Sequence, residues 1–503
     1  ADAAGVPLLL LTADRPPELR ETGANQTIRQ PGLFGSFTRW AFDVPVPDAA
    51  LDPAVILTTA AHAAARMLHP AGPVHLNLPF REPLGAEPDG TDAAALTAHL
   101  GRWNDADESM WPPYTNITAY ASPGRWEHTG LVSRLAGVER GIVVLGSARN
   151  AVGAAADLAA RLGWPLLPDV ASHARFGALP ESAAHYDLAL AAPAFAEAHQ
   201  PDAVIIIGDR PVSKRLLALI DAARPDPYVV VRPGPERFDP NHVVTERVVA
   251  DPAAFCRALT EALPPVPERS AWTQGWHRAS EAAERAAVGE IGRDLSEPFV
   301  ARTVAQRVPA EGCLVVAASM PVRDVDAFAS AGRGDYVQCF ANRGASGIDG
   351  TVATAYGVAM GTKSTYWPVV LLIGDLALLH DQTSLMLLRS GPPVVVVVVN
   401  NDGGGIFHFL PVSRGAHPVD TVAFEAAFGT PHGLTFGHAA AQFGLAYHAP
   451  ETADAFEVVL AEAVASGQSA VVEVRTDRVT NEALHARITR AAAAAVDATL
   501  AAG

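Results

Sequence analysis

A chain of 503 residues is too long for one ordinary hydrophobic core, so two or three domains are expected. Its formal net charge of -17 argues against nucleic-acid binding through general electrostatics, and it makes any local cluster of arginines more informative. The three cysteines, Cys256, Cys313 and Cys339, are too far apart for a disulfide framework or a zinc site. No apolar run approaches the roughly 20 residues that span a bilayer, so no membrane insertion is expected and a reducing cytoplasm fits.

The chain opens on Ala1-Asp2-Ala3-Ala4-Gly5 and reaches a strand-like run by Val6, which reads as a boundary inside a longer sequence. The strand at 6–12 leads to a helix at 48–68 and a strand at 74–78. A stretch rich in Pro, Gly, Asp and Trp follows at 82–120. Strands are then expected at 141–145, 203–207 and 228–231, with helices at 151–162 and 213–223. A segment at 261–296, Pro-containing at first and then charged and helix-like, precedes strands at 313–317, 369–373, 394–399 and 470–474 and a helix at 454–465. Short apolar runs alternating with alanine-rich helices predict an α/β protein of doubly wound parallel sheets. The expected division is 1–85, a linker at 86–124, a central α/β domain at 125–260, a linker at 261–296 and a last domain at 297–503. The first block is short for such a domain.

The most specific feature lies in the last block. A buried-type strand runs into Gly374-Asp375-Leu376, and six consecutive valines run into Asn400-Asn401-Asp402-Gly403-Gly404. In an open parallel sheet, ligands sit beyond the carboxyl ends of the strands, where both motifs fall. Mg²⁺ (or Mn²⁺) shared with phosphate oxygens needs hard oxygen donors. Asp375 offers a carboxylate, Asn401 an amide oxygen and Gly403 a backbone carbonyl, while Gly374 and Gly404 let the chain approach closely. A helix expected at 381–389 would add its N-terminal dipole. Either motif alone is turn chemistry; two of them, 26 residues apart and each ending a buried strand, favour a site. The pair resembles the metal signature of thiamine-diphosphate enzymes, with Leu376 at the third position.

Further strings narrow the resemblance: Thr12-Ala-Asp-Arg-Pro-Pro-Glu-Leu19, Gly23-Ala-Asn-Gln26, Gln30-Pro-Gly-Leu-Phe34, Gly72 to Pro83, Asn342-Arg-Gly-Ala-Ser-Gly-Ile-Asp-Gly350, and Gly403 to Phe407 followed by Leu410-Pro411. In this order they look like the MenD family, the SEPHCHC synthases of menaquinone biosynthesis. The resemblance implies a thiamine-diphosphate-binding fold of three doubly wound domains (pyrimidine, central and diphosphate), with residues 1–85 a remnant of the first. It also implies a transferase that decarboxylates 2-oxoglutarate and adds the succinyl carbanion equivalent to isochorismate. A homodimer or homotetramer is implied as well. A non-catalytic or truncated thiamine-fold protein, or another 2-oxo-acid decarboxylase or carboligase, is the competing expectation.

Both substrates are dicarboxylates and call for cationic partners. By the resemblance the substrate-binding residues are Asn25 and Gln26, as neutral hydrogen-bonding groups with Arg15 nearby, then Lys214 and Arg215 in the central block, and Ser319, Arg323 and Arg343 later. Read singly, each cation is better explained as a solvated surface charge, except that for Arg323 and Arg343, each following an expected strand beside a Gly- or Pro-containing turn, the two readings are even. Ile348 would wedge the cofactor into its bent shape with Ser346 beside it, and Ile406, Phe407 and Leu410 would form an apolar wall; ordinary core packing explains these apolar residues as well. His75 reads as structural, and His380 stays open. The family's catalytic Glu lies upstream of the Thr-Ala-Asp-Arg-Pro string, and none of the eleven residues before Thr12 is Glu. No catalytic residue is therefore assigned, and weak or absent activity is the expectation for the chain as it stands.

Overall fold

The computed structural model describes residues 1–82, 84, 90, 92–103, 115, 130–234, 236–265, 270–332, 337–362, 368–414 and 418–501. Most of the expected first linker, with Pro83 of the Gly72 to Pro83 string, lies outside these. The chain forms two compact units, Ala1–Ser122 and Pro123–Gly503.

The first unit carries β1 (Leu8–Asp14), β2 (Trp40–Asp43) and β3 (Pro73–Pro79) in a parallel sheet of order β1-β3-β2. The central strand β3 is almost wholly buried. The expected helix at 48–68 starts only at Ala54. Pro53 cannot continue a helix backward through a missing N–H, and Asp52 instead accepts from the Ala54 amide at 2.9 Å. Polar groups tie the strand ends together: the Asn77 amide donates to Asp14 at 2.9 Å and to Asp43 at 2.8 Å, and Arg20 pairs with Asp43 at 2.7 Å. His75 is buried, hydrogen-bonded to Thr12 at 2.7 Å and met edge-on by Phe34, which is a packing role.

The second unit holds two parallel sheets. The first is built from β4 (Gly141–Leu145), β5 (Leu166–Pro168), β6 (Ala203–Ile207), β7 (Tyr228–Arg232) and β8 (Glu246–Val249), in the order β5-β4-β6-β7-β8. The second comprises β9 (Cys313–Val316), β10 (Gln338–Ala341), β11 (Val369–Gly374), β12 (Val394–Asn400), β13 (Ala446–His448) and β14 (Ala470–Arg475), in the order β10-β9-β11-β12-β14-β13. The segment 261–296, read from sequence as a linker, contains a 21-residue helix, Ala271–Ile291. Its Trp276, Ala279, Ala283, Ala287 and Ile291 recur every three or four residues and are buried. They join one hydrophobic core with Ile488, Ala492 and Val496 of the helix Arg478–Ala501 and with side chains from both sheets.

Strand order places the openings. In the second sheet the chain leaves β9 toward β10 on one side and β11 toward β12 on the other, so the strand order switches between β9 and β11. In the first sheet the switch falls between β4 and β6, and there the loops close on each other. A Cβ on Gly146 would lie 1.9 Å from the Asp209 carbonyl, and one on Gly208 would lie 2.8 Å from the Ser147 carbonyl. At the other switch the loops after β9, β11 and β12 stand apart. The six valines of β12 behind them are all buried, each contributing on the order of 1.5 to 3 kcal/mol. The site loops therefore stand on a rigid wall.

Candidate cofactor site

Beyond the carboxyl ends of β9, β11 and β12 lies a cavity of about 160 Å³. Its wall includes Gly374, Asp375 and Leu376 after β11, Asn401, Gly403 and Gly404 after β12, and Ser319 after β9. Ile348, Ile406 and Phe407 add apolar surface.

Asp375 is buried at the first position of the helix Asp375–Asp381. The helix expected at 381–389 thus begins six residues earlier, at the metal motif itself, and 382–389 continues as a 3-10 turn. One Asp375 carboxylate oxygen accepts from the Leu376 amide at 2.7 Å. The other accepts from the Gly403 amide at 2.8 Å and from His432 Nε2 at 3.1 Å. The tautomer follows from the other ring nitrogen: Leu434 N–H donates to His432 Nδ1 at 3.0 Å, so the proton sits on Nε2.

Asn401 donates through Nδ2 to Glu297 at 2.8 Å, and its Oδ1 is buried without a hydrogen-bond partner among the described residues. A buried acceptor left unmet is costly and calls for a ligand. The glycines after it have no room for side chains. A Cβ on Gly403 would meet the Gly429 carbonyl at 2.0 Å, and one on Gly404 would meet the Phe428 carbonyl at 2.1 Å. Arg478 clamps this turn by donating to the carbonyls of Asp402 at 2.6 Å and Gly429 at 2.7 Å, and to Glu425 at 2.8 Å. Among the described residues no three His, Cys, Asp or Glu side chains cluster to hold a metal. A cation here would use one carboxylate and neutral oxygens, leaving positions for phosphate, which fits a Mg²⁺–diphosphate group.

Two further acids, Glu297 and Asp324, line the cavity, and burial favours their neutral forms. Burial, with Asp375 adding to it, pushes the Glu297 carboxyl up to about 7. Burial also pushes Asp324 well above the carboxylate range, with Glu297 nearby adding to the effect. His485, 3.5 Å from Asp324, is driven down to about 3 by burial and by the Arg215 guanidinium. None of Glu297, Asp324, His432 or His485 was picked out from sequence. Each sits at a position in the sequence remote from the two glycine motifs, and only Pro431-His432 beside Gly433 could have signalled a turn.

Two domain models match: the middle domain of thiamine pyrophosphate enzymes over residues 96–316, and the C-terminal TPP-binding domain over 334–474. The chain is 51% identical over 505 residues to the 2-succinyl-5-enolpyruvyl-6-hydroxy-3-cyclohexene-1-carboxylate (SEPHCHC) synthase of Rubrobacter xylanophilus, covering 97% of this chain and 83% of the relative. To the same enzyme of Salinibacter ruber it is 47% identical over 507 residues, covering 99% and 83%. The chain belongs to the SEPHCHC synthase family. A solved structure from Mycobacterium smegmatis, described as a thiamin diphosphate-dependent enzyme, matches with a TM-score of 0.64 at 17% identity, covering 95% of this chain and 83% of that one. That likeness carries the fold alone. Membership makes the chain a transferase of menaquinone biosynthesis that uses thiamine diphosphate.

The other residues expected in a SEPHCHC synthase site divide by position. Arg323 is half-buried beside the cavity. Burial lowers its pKa, and so does the like charge of Arg343. Arg343 Nε is buried without a hydrogen-bond partner among the described residues, while the Arg343 charge also acts on the buried Asp169 carboxyl. Arg215 is held by Asp187 at 2.5 Å, while Lys214 is exposed. Ser346 is exposed, its hydroxyl turned to the Arg343 carbonyl at 3.2 Å. Leu410 is half-buried but outside the cavity wall, and His380 is exposed. In the first unit, Arg15 pairs with Glu82 at 3.3 Å, and Asn25 and Gln26 are exposed. No described helix is long and apolar enough to cross a membrane.

Proposed function

We propose that this protein decarboxylates 2-oxoglutarate and joins the remaining succinyl unit to isochorismate, giving SEPHCHC. The observation that carries the site assignment is the buried, unmet Oδ1 of Asn401 beside Asp375 and a glycine cradle at the switch point. In this reading Asp375, Asn401 and the Gly403 carbonyl hold Mg²⁺ or Mn²⁺, with Gly374, Leu376, Gly404, Ser346 and Ile348 around the cofactor. When bound, thiamine diphosphate supplies the electron sink for decarboxylation.

The protein's own residues do the rest. Arg323 and Arg343 stand close enough to repel each other, so a dicarboxylate between them relieves that repulsion and is oriented by it. Lys214, Arg215, Arg15, Asn25 and Gln26 would complete substrate recognition, with the Ser319 hydroxyl as a further donor. Ile406, Phe407 and Leu410 would keep water from the reacting carbon. The protein would act as a cytoplasmic homodimer or homotetramer. The test is mass-spectrometric detection of SEPHCHC from isochorismate, 2-oxoglutarate, thiamine diphosphate and Mg²⁺. Product that requires isochorismate supports the reading. CO₂ release with no adduct would make the protein a decarboxylase instead.

A further inference from the structure

An asparagine amide offers a cation only one of its two ends. The NH₂ end must be turned away and kept there, or half of the molecules present the wrong group. Asn401 Nδ2 donates to Glu297 Oε1 at 2.8 Å, and Thr476 Oγ1 donates to the same oxygen at 3.0 Å. An oxygen receiving two donors accepts from Nδ2 and cannot donate to Oδ1. The amide is thereby left with Oδ1 free and buried.

Glu297 has no local duty that explains its burial. Ser296 already caps the helix Glu297–Arg307 by accepting from the Phe299 amide at 3.4 Å, and Pro298 follows. The Glu297 carboxyl instead reaches partners 104 and 179 residues away in sequence, is only 3% exposed and makes no ion pair among the described residues. A buried acid without a cationic partner is a cost that packing alone does not repay.

We propose that Glu297 is a positioning residue that sets the Asn401 amide with its oxygen toward the cofactor's divalent cation. The inference rests on the reading of Asp375, Asn401 and Gly403 as the cation's ligands. The experiment titrates Mg²⁺ into the cofactor-free protein with thiamine diphosphate present and follows cofactor binding by calorimetry, with a thermal melt confirming that each variant is folded. Glu297→Leu should raise the half-saturating Mg²⁺ concentration by roughly 10- to 100-fold, the cost of losing an outer-shell partner. Glu297→Gln, which still presents an oxygen to Nδ2, should stay within about threefold of the parent. If Glu297→Leu does not fold, Glu297→Met takes its place. An unchanged Mg²⁺ midpoint in the leucine variant, with Asn401→Ala strongly weakened, overturns the positioning role and leaves the ligand reading intact. An unchanged midpoint in Asn401→Ala overturns both.

Discussion

Gly403→Ala tests the glycine cradle at its tightest point. Gly403 has φ 131°, a region L-residues rarely occupy, and its amide donates to Asp375 at 2.8 Å. An added Cβ would lie 2.0 Å from the Gly429 carbonyl and 2.5 Å from Arg478 Nη1. Neither neighbour yields easily, because Arg478 is itself bonded to Asp402, Gly429 and Glu425. The turn must shift to relieve the clash, forfeiting the bond to Asp375, and still holds a backbone strained for an L-residue. Strain of about 1–3 kcal/mol and a charged hydrogen bond of about 1.5–3 kcal/mol together come to roughly 3–6 kcal/mol. At about 1.4 kcal/mol per tenfold, thiamine diphosphate should bind about 100- to 10,000-fold more weakly. Gly374→Ala is the control: a Cβ there meets nothing within 4 Å, and φ is -82°. Its melting temperature should match the parent's. Calorimetric binding in saturating Mg²⁺ and a thermal melt give the two answers, and parent-like affinity in Gly403→Ala would refute the reasoning.

Arg343→Gln should raise the KM for 2-oxoglutarate at least about tenfold. It should leave the melting temperature equal or higher, since it relieves the repulsion on Arg323; a lower melting temperature with an unchanged KM would make Arg343 purely structural. His199 is buried between Phe195 and Trp272, and burial holds it down at about 4. It is neutral in the fold while the unfolded chain takes up a proton near 6.5, so its share of stability is full above pH 6.5 and is lost as pH falls toward 4. His199→Phe should therefore flatten the fall in melting temperature between pH 6.5 and 4. Identical slopes in parent and variant would exclude the effect.

What could be read from the sequence follows from how strands are covered. The strands that read clearly from their apolar runs include every central strand: β3, β4, β6, β7, β9, β11, β12 and β14. Those that went unread, β2, β5, β8, β10 and β13, are all edge strands. An edge strand is bonded on one side only and stays short and mixed, as in Glu246–Val249 with its alternating exposure, so it leaves no apolar run to notice. The charged, helix-like part of 261–296 shows its helix in the sequence but not its burial, because its apolar stripe is mostly alanine with one Trp, which reads as weakly hydrophobic until a second helix is seen against it. In the site, the ligand motifs were legible because glycine must follow the strands where the backbone comes close. Glu297 and His432 were not, since their meaning depends on which atoms of Asn401 and Asp375 they touch.

The two switch points also bear on change over time. The sheets of the second unit share one architecture, yet at Gly146 and Gly208 the loops are sealed against each other, and any larger residue would force them apart. Substitution there is checked by the fold alone, whatever the chemistry elsewhere. At the open switch the Gly403-Gly404 turn is packed that tightly, against the Gly429 and Phe428 carbonyls, so variation is left to the loop residues outside that cradle. One half of the unit is thus bound to hold its shape, and the other, outside its glycine cradle, is open to being retuned for a different substrate.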